Sequence, residues 1–593
     1  MLHRAPPVIV PRHALLCYAS RAAPAQASTR LVNQGVVVVA SAGNDAAVGL
    51  YGSAAPSVGA KVISVASFQN THTNQRAFAV SPDGQLVGYN AASGGSVPPP
   101  DSGVFDLART GTTSSTGDAC TPLPAESLAG QIGLIRRGTC SFHIKSINAQ
   151  NAGAPGVVLY NNAAGGLSPS LSPTTPEDPV VGIPIVGVTA ATGELIDARI
   201  QAGPTTLTWT NQNVSNPSGS GGQIASSSSW GISPDLTLKP DIGAPGGSIL
   251  STYPIESGSY RVLSGTSMSS PHVAGAVALL LEARPRTSPQ VVRSILQNSA
   301  DPRINPTLDE LYPMHRQGAG MLQIDAAISA AVKIEPGKLS LGESEAGPAT
   351  RTLTTENNGP ASVTYALSHT GALATGPNTF SVTQLPEFAE VTFSTPAVTV
   401  PAGGTATVGV TIAPPPGLAD RGLYGGYIAF TPEGGGHTLR VPFAGFKGDY
   451  QSIVALTLPT EIRRRTGTNS DGTGIYSPSP VGDVFTLEDA FSVPYVYVHF
   501  EHQVRRLRLE MFDAVTGKPW HRARDLEYVP HNTRANTFTV YWWDGQTTGG
   551  YKIYTVPNGQ YVIRLSALKA LGDSDNPAHW ETWTSPPVTI QRP

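Results

Sequence analysis

Charged side chains are scarce in this chain. Asp, Glu, Lys and Arg make up 13% of its 593 residues, well under the usual quarter. The two signs nearly cancel, leaving a net charge of -3. Nothing in that balance points to nucleic acid or an anionic membrane as a partner. Long apolar runs are missing as well. No stretch reaches the roughly 18 apolar residues of a membrane-spanning helix, so no span is predicted. Cysteine is limited to Cys17, Cys120 and Cys140. The apolar residues near Leu15 are too few, and too interrupted by Arg12, His13 and Arg21, to read as a secretion signal. What the chain has in quantity is turn formers, with 63 Gly and 52 Pro. They predict short strands and tight turns, and the length predicts several domains with separate cores.

The most informative stretch is Leu263-Ser264-Gly265-Thr266-Ser267-Met268-Ser269-Ser270-Pro271-His272-Val273-Ala274-Gly275. A glycine-led turn precedes small hydroxyl residues, and the apolar run Val273 to Leu281 predicts a buried helix. Ser267 then sits at the helix mouth, where unpaired N–H groups and the positive end of the dipole favour developing negative charge. A nucleophile placed there suits acyl transfer. Taken alone, the same residues also describe an ordinary hydroxyl-capped helix. Upstream, Gly35 to Ala40 reads as a strand buried on both faces, running into Ser41-Ala42-Gly43-Asn44-Asp45. Lys61 to Ser67 reads as a further strand.

The thirteen-residue string resembles the nucleophile segment of subtilisin-like serine proteases, with Ser267 at the position of the reactive serine. The resemblance implies that Asn44 donates an amide hydrogen bond to the oxyanion, and that His272 is structural rather than the base. Leu238-Lys239-Pro240-Asp241-Ile242-Gly243-Ala244-Pro245-Gly246 resembles the family segment before the nucleophile. Gln317-Gly318-Ala319-Gly320 and Ile324-Asp325-Ala326 resemble the close of its catalytic domain. Between the two parts, Gln131–Arg136 reads as a strand, 142–152 as a helix and 156–160 as a strand. Gly133 to Phe142, with Lys145 and Gly153, resembles a protease-associated (PA) domain, an insert without chemistry of its own. Cys120 and Cys140 are expected to pair there, which would add about 3 kcal/mol in the chain-entropy model. Ser288-Pro289 predicts a capped helix start. From Ile334 to Gly448, alternating runs between Pro and Gly turns predict an antiparallel sandwich, resembling a fibronectin-III-like domain. Residues 449–593 read as a second sandwich-like domain. Asp573, Asp575 and Asn576 read as a polar turn rather than a cation loop.

The expected fold is thus an incomplete α/β subtilisin-like parallel-sheet domain with a PA insert, followed by two all-β sandwich-like domains. The boundaries are an unpatterned 1–22, catalytic parts at 23–90 and 212–332, the insert at 91–211, and β domains at 333–448 and 449–593. The family's catalytic Asp and His precede the oxyanion Asn, and neither is found. None of the 13 histidines is followed by Gly, and His3 and His13 lie in unpatterned sequence. Asp101-Ser102-Gly103 imitates the aspartate motif but follows Asn44 and a run of prolines. The resemblance implies a serine endopeptidase acting on protein or peptide, extracellular and needing no cofactor, with any structural calcium unplaced. The residues predict that this chain is inactive alone. Two rival readings are a non-catalytic secreted binding protein using the PA and sandwich domains, and a chain whose first exons were lost.

Overall fold

The computed structural model describes residues 8–9, 22–95, 97–163, 165–172, 178–470 and 472–593. They form two compact units, one of 1–68, 223–247 and 264–593, the other of 69–222 and 248–263.

The first unit is built around a four-stranded sheet in the order Val8–Ile9, Val37–Ser41, Ile63–Gln69 and Ile242–Gly247. The first three run parallel, with Val8 opposite Val37 and Val39 opposite Ile63. Two residues of the unpatterned N-terminus therefore extend this sheet, as an isolated Val-Ile pair gave no periodic signal. The unbroken Val-Val-Val-Ala run makes sense from both sides. Val37 and Val39 join Ile63, Val65, Ile242 and Ala244 beneath one layer of helices. Val38 and Ala40 face the other way, against Val32 of helix Ala23–Asn33 and Val62. A strand with helices on both faces has no polar side to alternate.

Helix Thr266–Ala283 lies on the first of those faces and buries Val273, Val277, Leu280 and Leu281. Each such side chain contributes about 1.5–3 kcal/mol when fully buried. Helix Pro289–Ser299 packs beside it, adding Val292, Ile295 and Leu296. Ser288 caps its N-terminus, its hydroxyl accepting from Val291 N at 3.5 Å.

The Lys-Pro-Asp segment holds a fully buried ion network. Lys239 Nζ donates to Asp241 Oδ2 at 2.7 Å and to the carbonyls of Gly59 and Val62. Lys338 Nζ reaches the second Asp241 oxygen at 2.7 Å, and Ser64 N donates to Oδ2 at 2.9 Å. Burial alone would raise the Asp241 carboxyl, but the two ammonium groups hold it well below the usual carboxylate range. Because Lys338 belongs to the sandwich that follows, the network ties that sandwich to the central sheet.

The sandwich pairs a sheet ordered Val332–Glu335, Ala349–Asn357, Thr405–Ala413, Glu390–Phe393 with one led by Leu339–Glu343, Leu439–Phe446, Leu423–Pro432 and Val363–Thr375. Their inward residues, among them Leu353, Val410, Ile428 and Phe443, form one core. Residues beyond 449 form four- and eight-stranded sheets around Val496, Leu507, Trp543 and Ile563. Tyr51, Tyr450 and His502 meet where these domains join. The Tyr450 hydroxyl contacts His502 Nε2 at 2.5 Å and donates to Pro234 O at 2.7 Å.

The second unit has an eight-stranded sheet. Its centre is parallel, with Gly103–Arg109, Gln131–Arg136, Val157–Tyr160 and Ile185–Val188 side by side. Antiparallel strands Thr206–Pro217, His72–Val80 and Gln85–Gly88 extend one edge. The strands over 72–91 thus join this sheet, although the sequence reading grouped them with the residues before a boundary at 90. Strand periodicity reveals a strand but not which sheet receives it. Ser141 caps helix Phe142–Asn151, accepting from Ile144 N at 3.2 Å. Cys120 and Cys140 form a disulfide with Cα atoms 5.7 Å apart. Around Asp573, Asp575 and Asn576, in the first unit, the hydrogen bonds are local: Asp573 Oδ1 accepts from Asp575 N at 3.0 Å and Asn576 Oδ1 from Ala578 N at 3.0 Å.

Candidate active site

Ser267 is the second residue of helix Thr266–Ala283 and is solvent-exposed. Gly265 precedes the helix at φ +142°, and its N–H donates to Gly246 O at 2.8 Å. A Cβ on Gly265 would approach Asn44 Nδ2 to 3.1 Å, so glycine here leaves room for the amide. Asn44 Oδ1 accepts from Thr266 N at 2.9 Å and from Thr266 Oγ1 at 3.0 Å. Those two bonds fix the amide's orientation, because only its oxygen can accept. Nδ2 is left as a donor beside the first turn of the helix, whose N–H groups have no acceptor within the helix. Asn44 and Ser267 therefore stand at one helix mouth, where Thr266 N is taken by Asn44 Oδ1 and Met268 N by Gly265 O, leaving the Asn44 amide and the Ser267 N–H as the donors beside the Ser267 hydroxyl.

The loop carrying Asn44 is stapled from below. Gly43 has φ +117°, and a Cβ there would strike Ser229 Oγ at 2.6 Å. Ser229 Oγ accepts from Asp45 N at 3.0 Å, and Ser229 N donates to Gly43 O at 2.9 Å. Further along, Leu50 N donates to Thr379 O at 2.8 Å, so the sandwich also grips this loop. Thr266, Ser229 and Thr379 had no assigned role in the sequence reading. Ser226-Ser227-Ser228-Ser229 offered a composition signal for Ser229, and Thr379 offered none.

Among the described residues, no side chain hydrogen-bonds to the Ser267 hydroxyl. His272 turns its Nδ1 to Met268 O, one turn back on its own helix, at 2.9 Å. His315 is buried, contacts Thr375 Oγ1 through Nε2 at 3.0 Å, and is pushed down to about 3 by burial. Asp101 belongs to the second unit and pairs with Arg76. His3, His13 and Cys17 lie outside the described residues. For a cation, Glu343, Glu345 and Asp449 bring carboxylate oxygens within 4.8 Å of one another. One of those oxygens, Glu343 Oε2, already accepts from Tyr450 N at 2.7 Å.

The profile described as "Subtilase family" matches residues 18–320, just over half of the chain. The chain belongs to the subtilase family. An Fn3-like domain matches residues 339–444, which coincides with the first sandwich. Among relatives, the subtilase chain is 32% identical to the minor extracellular protease Vpr of Bacillus subtilis (strain 168) over 349 residues, covering 57% of this chain and 41% of Vpr. It is 27% identical to a C5a peptidase of Streptococcus pyogenes serotype M1 over 355 residues, covering 56% of this chain and 29% of that one. The psychrophilic subtilisin-like protease Apa1 of Pseudoalteromonas sp. AS-11 aligns in structure with a TM-score of 0.33 and 20% identity, over 54% of this chain and 69% of Apa1. This subtilase spans less than half the length of the curated relatives it matches. Family relatives are serine peptidases, so the hydrolase class stands at family level. No helix among the described residues is long and apolar enough to cross a membrane.

Proposed function

We propose that the site is the nucleophile and oxyanion half of a serine endopeptidase that cleaves protein or peptide substrates through an acyl-enzyme. Ser267 Oγ attacks the scissile carbonyl, and Asn44 Nδ2, with the Ser267 N–H, stabilises the oxyanion. The observation that carries this reading is the double anchoring of Asn44 Oδ1 on Thr266, which commits the amide nitrogen to donation beside Ser267. No cofactor is needed for that chemistry.

The family mechanism also requires an acceptor for the Ser267 proton. With neither motif for Asp or His in these 593 residues, Ser267 is an ordinary alcohol. In the subtilisin case, losing Ser or His alone costs about 10⁶-fold in turnover. This chain by itself is therefore proposed to be inactive. The disulfide and the parallel strands of the second unit support reading 91–211 as a PA insert, and the name of Vpr supports an extracellular setting.

The test is hydrolysis of casein or a fluorogenic peptide. The chain alone should match its Ser267→Ala variant. A chain extended at its N-terminus by a segment bearing Asp-Thr-Gly and His-Gly-Thr motifs should hydrolyse casein, and Ser267→Ala should abolish that activity. Activity in the extended chain that survives Ser267→Ala would contradict the assignment.

A further inference from the structure

The domain beyond residue 449 carries an outward sheet face that the protease chemistry does not use. Its four strands run in the order Gly474–Pro478, Glu461–Thr468, Tyr495–Val498 and Thr539–Trp542. Alternation separates two faces. Ile462, Val496 and Val498 point into the core, while Arg463, Arg465, Tyr495 and Tyr497 lie on the other face, where Tyr495 is itself buried beneath its neighbours. Register places Tyr495 between Arg463 and Trp542, and Tyr476 opposite Arg465. The rings form a continuous strip. Tyr476 meets Tyr495 and Tyr497 edge-on, at 4.9 and 5.2 Å between centroids, and Tyr497 meets Phe538 at 5.7 Å. At its margins Phe491 and Trp542 remain 45% and 46% exposed, unusually open for rings of that size.

Guanidinium groups lie over these rings. Arg463 stacks on Tyr497 at 4.7 Å, Arg465 on Phe491 at 5.4 Å and Arg524 on Trp542 at 5.1 Å. Arg463 is neutralised by Glu461. Arg465 and Arg524 have no carboxylate partner among the described residues; Arg465 bonds to Gly467 O and Thr468 Oγ1 and also contacts the Tyr495 hydroxyl. Arg465 rises from the four-stranded sheet itself, whereas Arg524 comes from strand Pro519–Val529 of the eight-stranded sheet and reaches the strip over Trp542. Glu461 also lines a cleft of about 270 Å³ together with Pro478, Trp583, Pro586 and Pro587, large enough for a sugar ring.

We propose that this face binds an acidic polysaccharide. Ring faces and edges pack against the C–H surfaces of pyranoses. Arg465 and Arg524 present planar N–H forks that match spaced carboxylates bidentately, and Glu461 accepts sugar hydroxyls. A single-stranded nucleic acid fits less well. Its bases need open ring planes in succession, whereas these rings meet edge-to-face and Arg463 covers one plane of Tyr497.

Affinity electrophoresis of the full chain tests the proposal, with gels containing polygalacturonate, hyaluronate or neutral dextran, and poly(dT) as competitor. At least one of the two uronate polymers should retard the chain, and dextran should not. Arg465→Gln/Arg524→Gln should weaken retardation at least tenfold, and Trp542→Ala/Tyr476→Ala similarly, with unchanged circular dichroism and thermal midpoint in the arginine variant. Three results would each overturn it: no retardation by either uronate polymer, equal retardation of the arginine variant, or tighter binding of poly(dT) than of the uronates.

Discussion

Asn44 serves two purposes at once, and its substitutions should separate them. Its oxygen ties down the first N–H of the serine helix, as a capping side chain does, although the cap position itself is Gly265. Asn44→Ala should therefore cost about 1 kcal/mol of stability, the usual value of a lost cap. Asn44→Asp keeps the acceptor and should recover most of it, while placing a negative charge where an oxyanion must form. Urea unfolding of the two variants measures the difference. Gly265→Ala should also destabilise by about 1 kcal/mol, because φ +142° and the nearby Asn44 amide leave a Cβ no relaxed position. Equal stability of all three variants with the parent would mean that the helix mouth is not organised as described. Cysteine gives a further residue-level check. Denatured, unreduced protein should titrate one thiol per chain and reduced protein three, since Cys120 and Cys140 are bonded. Three thiols before reduction would contradict the bond.

At the scale of elements, the clearest features are those whose local signal and tertiary role agree. The strand at Val37–Ser41 and the helix at Thr266–Ala283 were readable because a doubly covered strand is uniformly apolar and a buried helix keeps its run. Asn44 and Ser267 were singled out through the family string, not through periodicity. The loop contacts that hold Asn44 were not. Leu50 N meets a carbonyl more than 300 residues away, and no local pattern encodes such a pairing. The partnership of strand His72–Val80 with Thr206–Pro217 was hidden for the same reason.

The buried Lys239–Asp241–Lys338 network lets an element-level prediction be made. Asp241→Ala leaves two ammonium groups buried and unpaired, and breaking such a pair typically costs about 3–5 kcal/mol. Exchanging Lys338 for Met removes a charge together with its desolvation cost and should be milder. Thermal unfolding of both variants should rank Asp241→Ala well below Lys338→Met. The reverse order would show that the carboxylate is not held by the two ammonium groups.

Across the whole molecule, acid should weaken the contacts between domains first. His315 joins the central domain to the Fn3-like sandwich through Thr375, and His502 of the C-terminal domain packs edge-on against Tyr51 of the central domain. Burial pushes both imidazoles down to about 3, with Arg316 beside the first and His531 and Arg421 near the second adding to the effect. Their folded-state values lie below the unfolded value near 6.5. The unfolded chain therefore binds more protons between about pH 6.5 and 3. Stability should hold above that window and fall within it, by about 1.4 kcal/mol per pH unit for each histidine. Urea midpoints measured from pH 8 to pH 4 should stay level and then decline below about 6.5. His502→Gln should reduce the slope by one histidine's share, and an unchanged slope would remove His502 from this account.

At the scale of the whole molecule, the proposal that matters most is that Ser267 and Asn44 form a nucleophile and oxyanion donor with no base beside them among the described residues. A fluorophosphonate probe reads this directly, since it modifies a serine only when the hydroxyl is activated. The folded chain, incubated with the probe and mapped by mass spectrometry, should show no more labelling at Ser267 than at other exposed serines. Ser267→Ala should leave the total unchanged. Strong, selective labelling of Ser267 that disappears in Ser267→Ala would show that another group in this chain takes its proton, and would contradict the account.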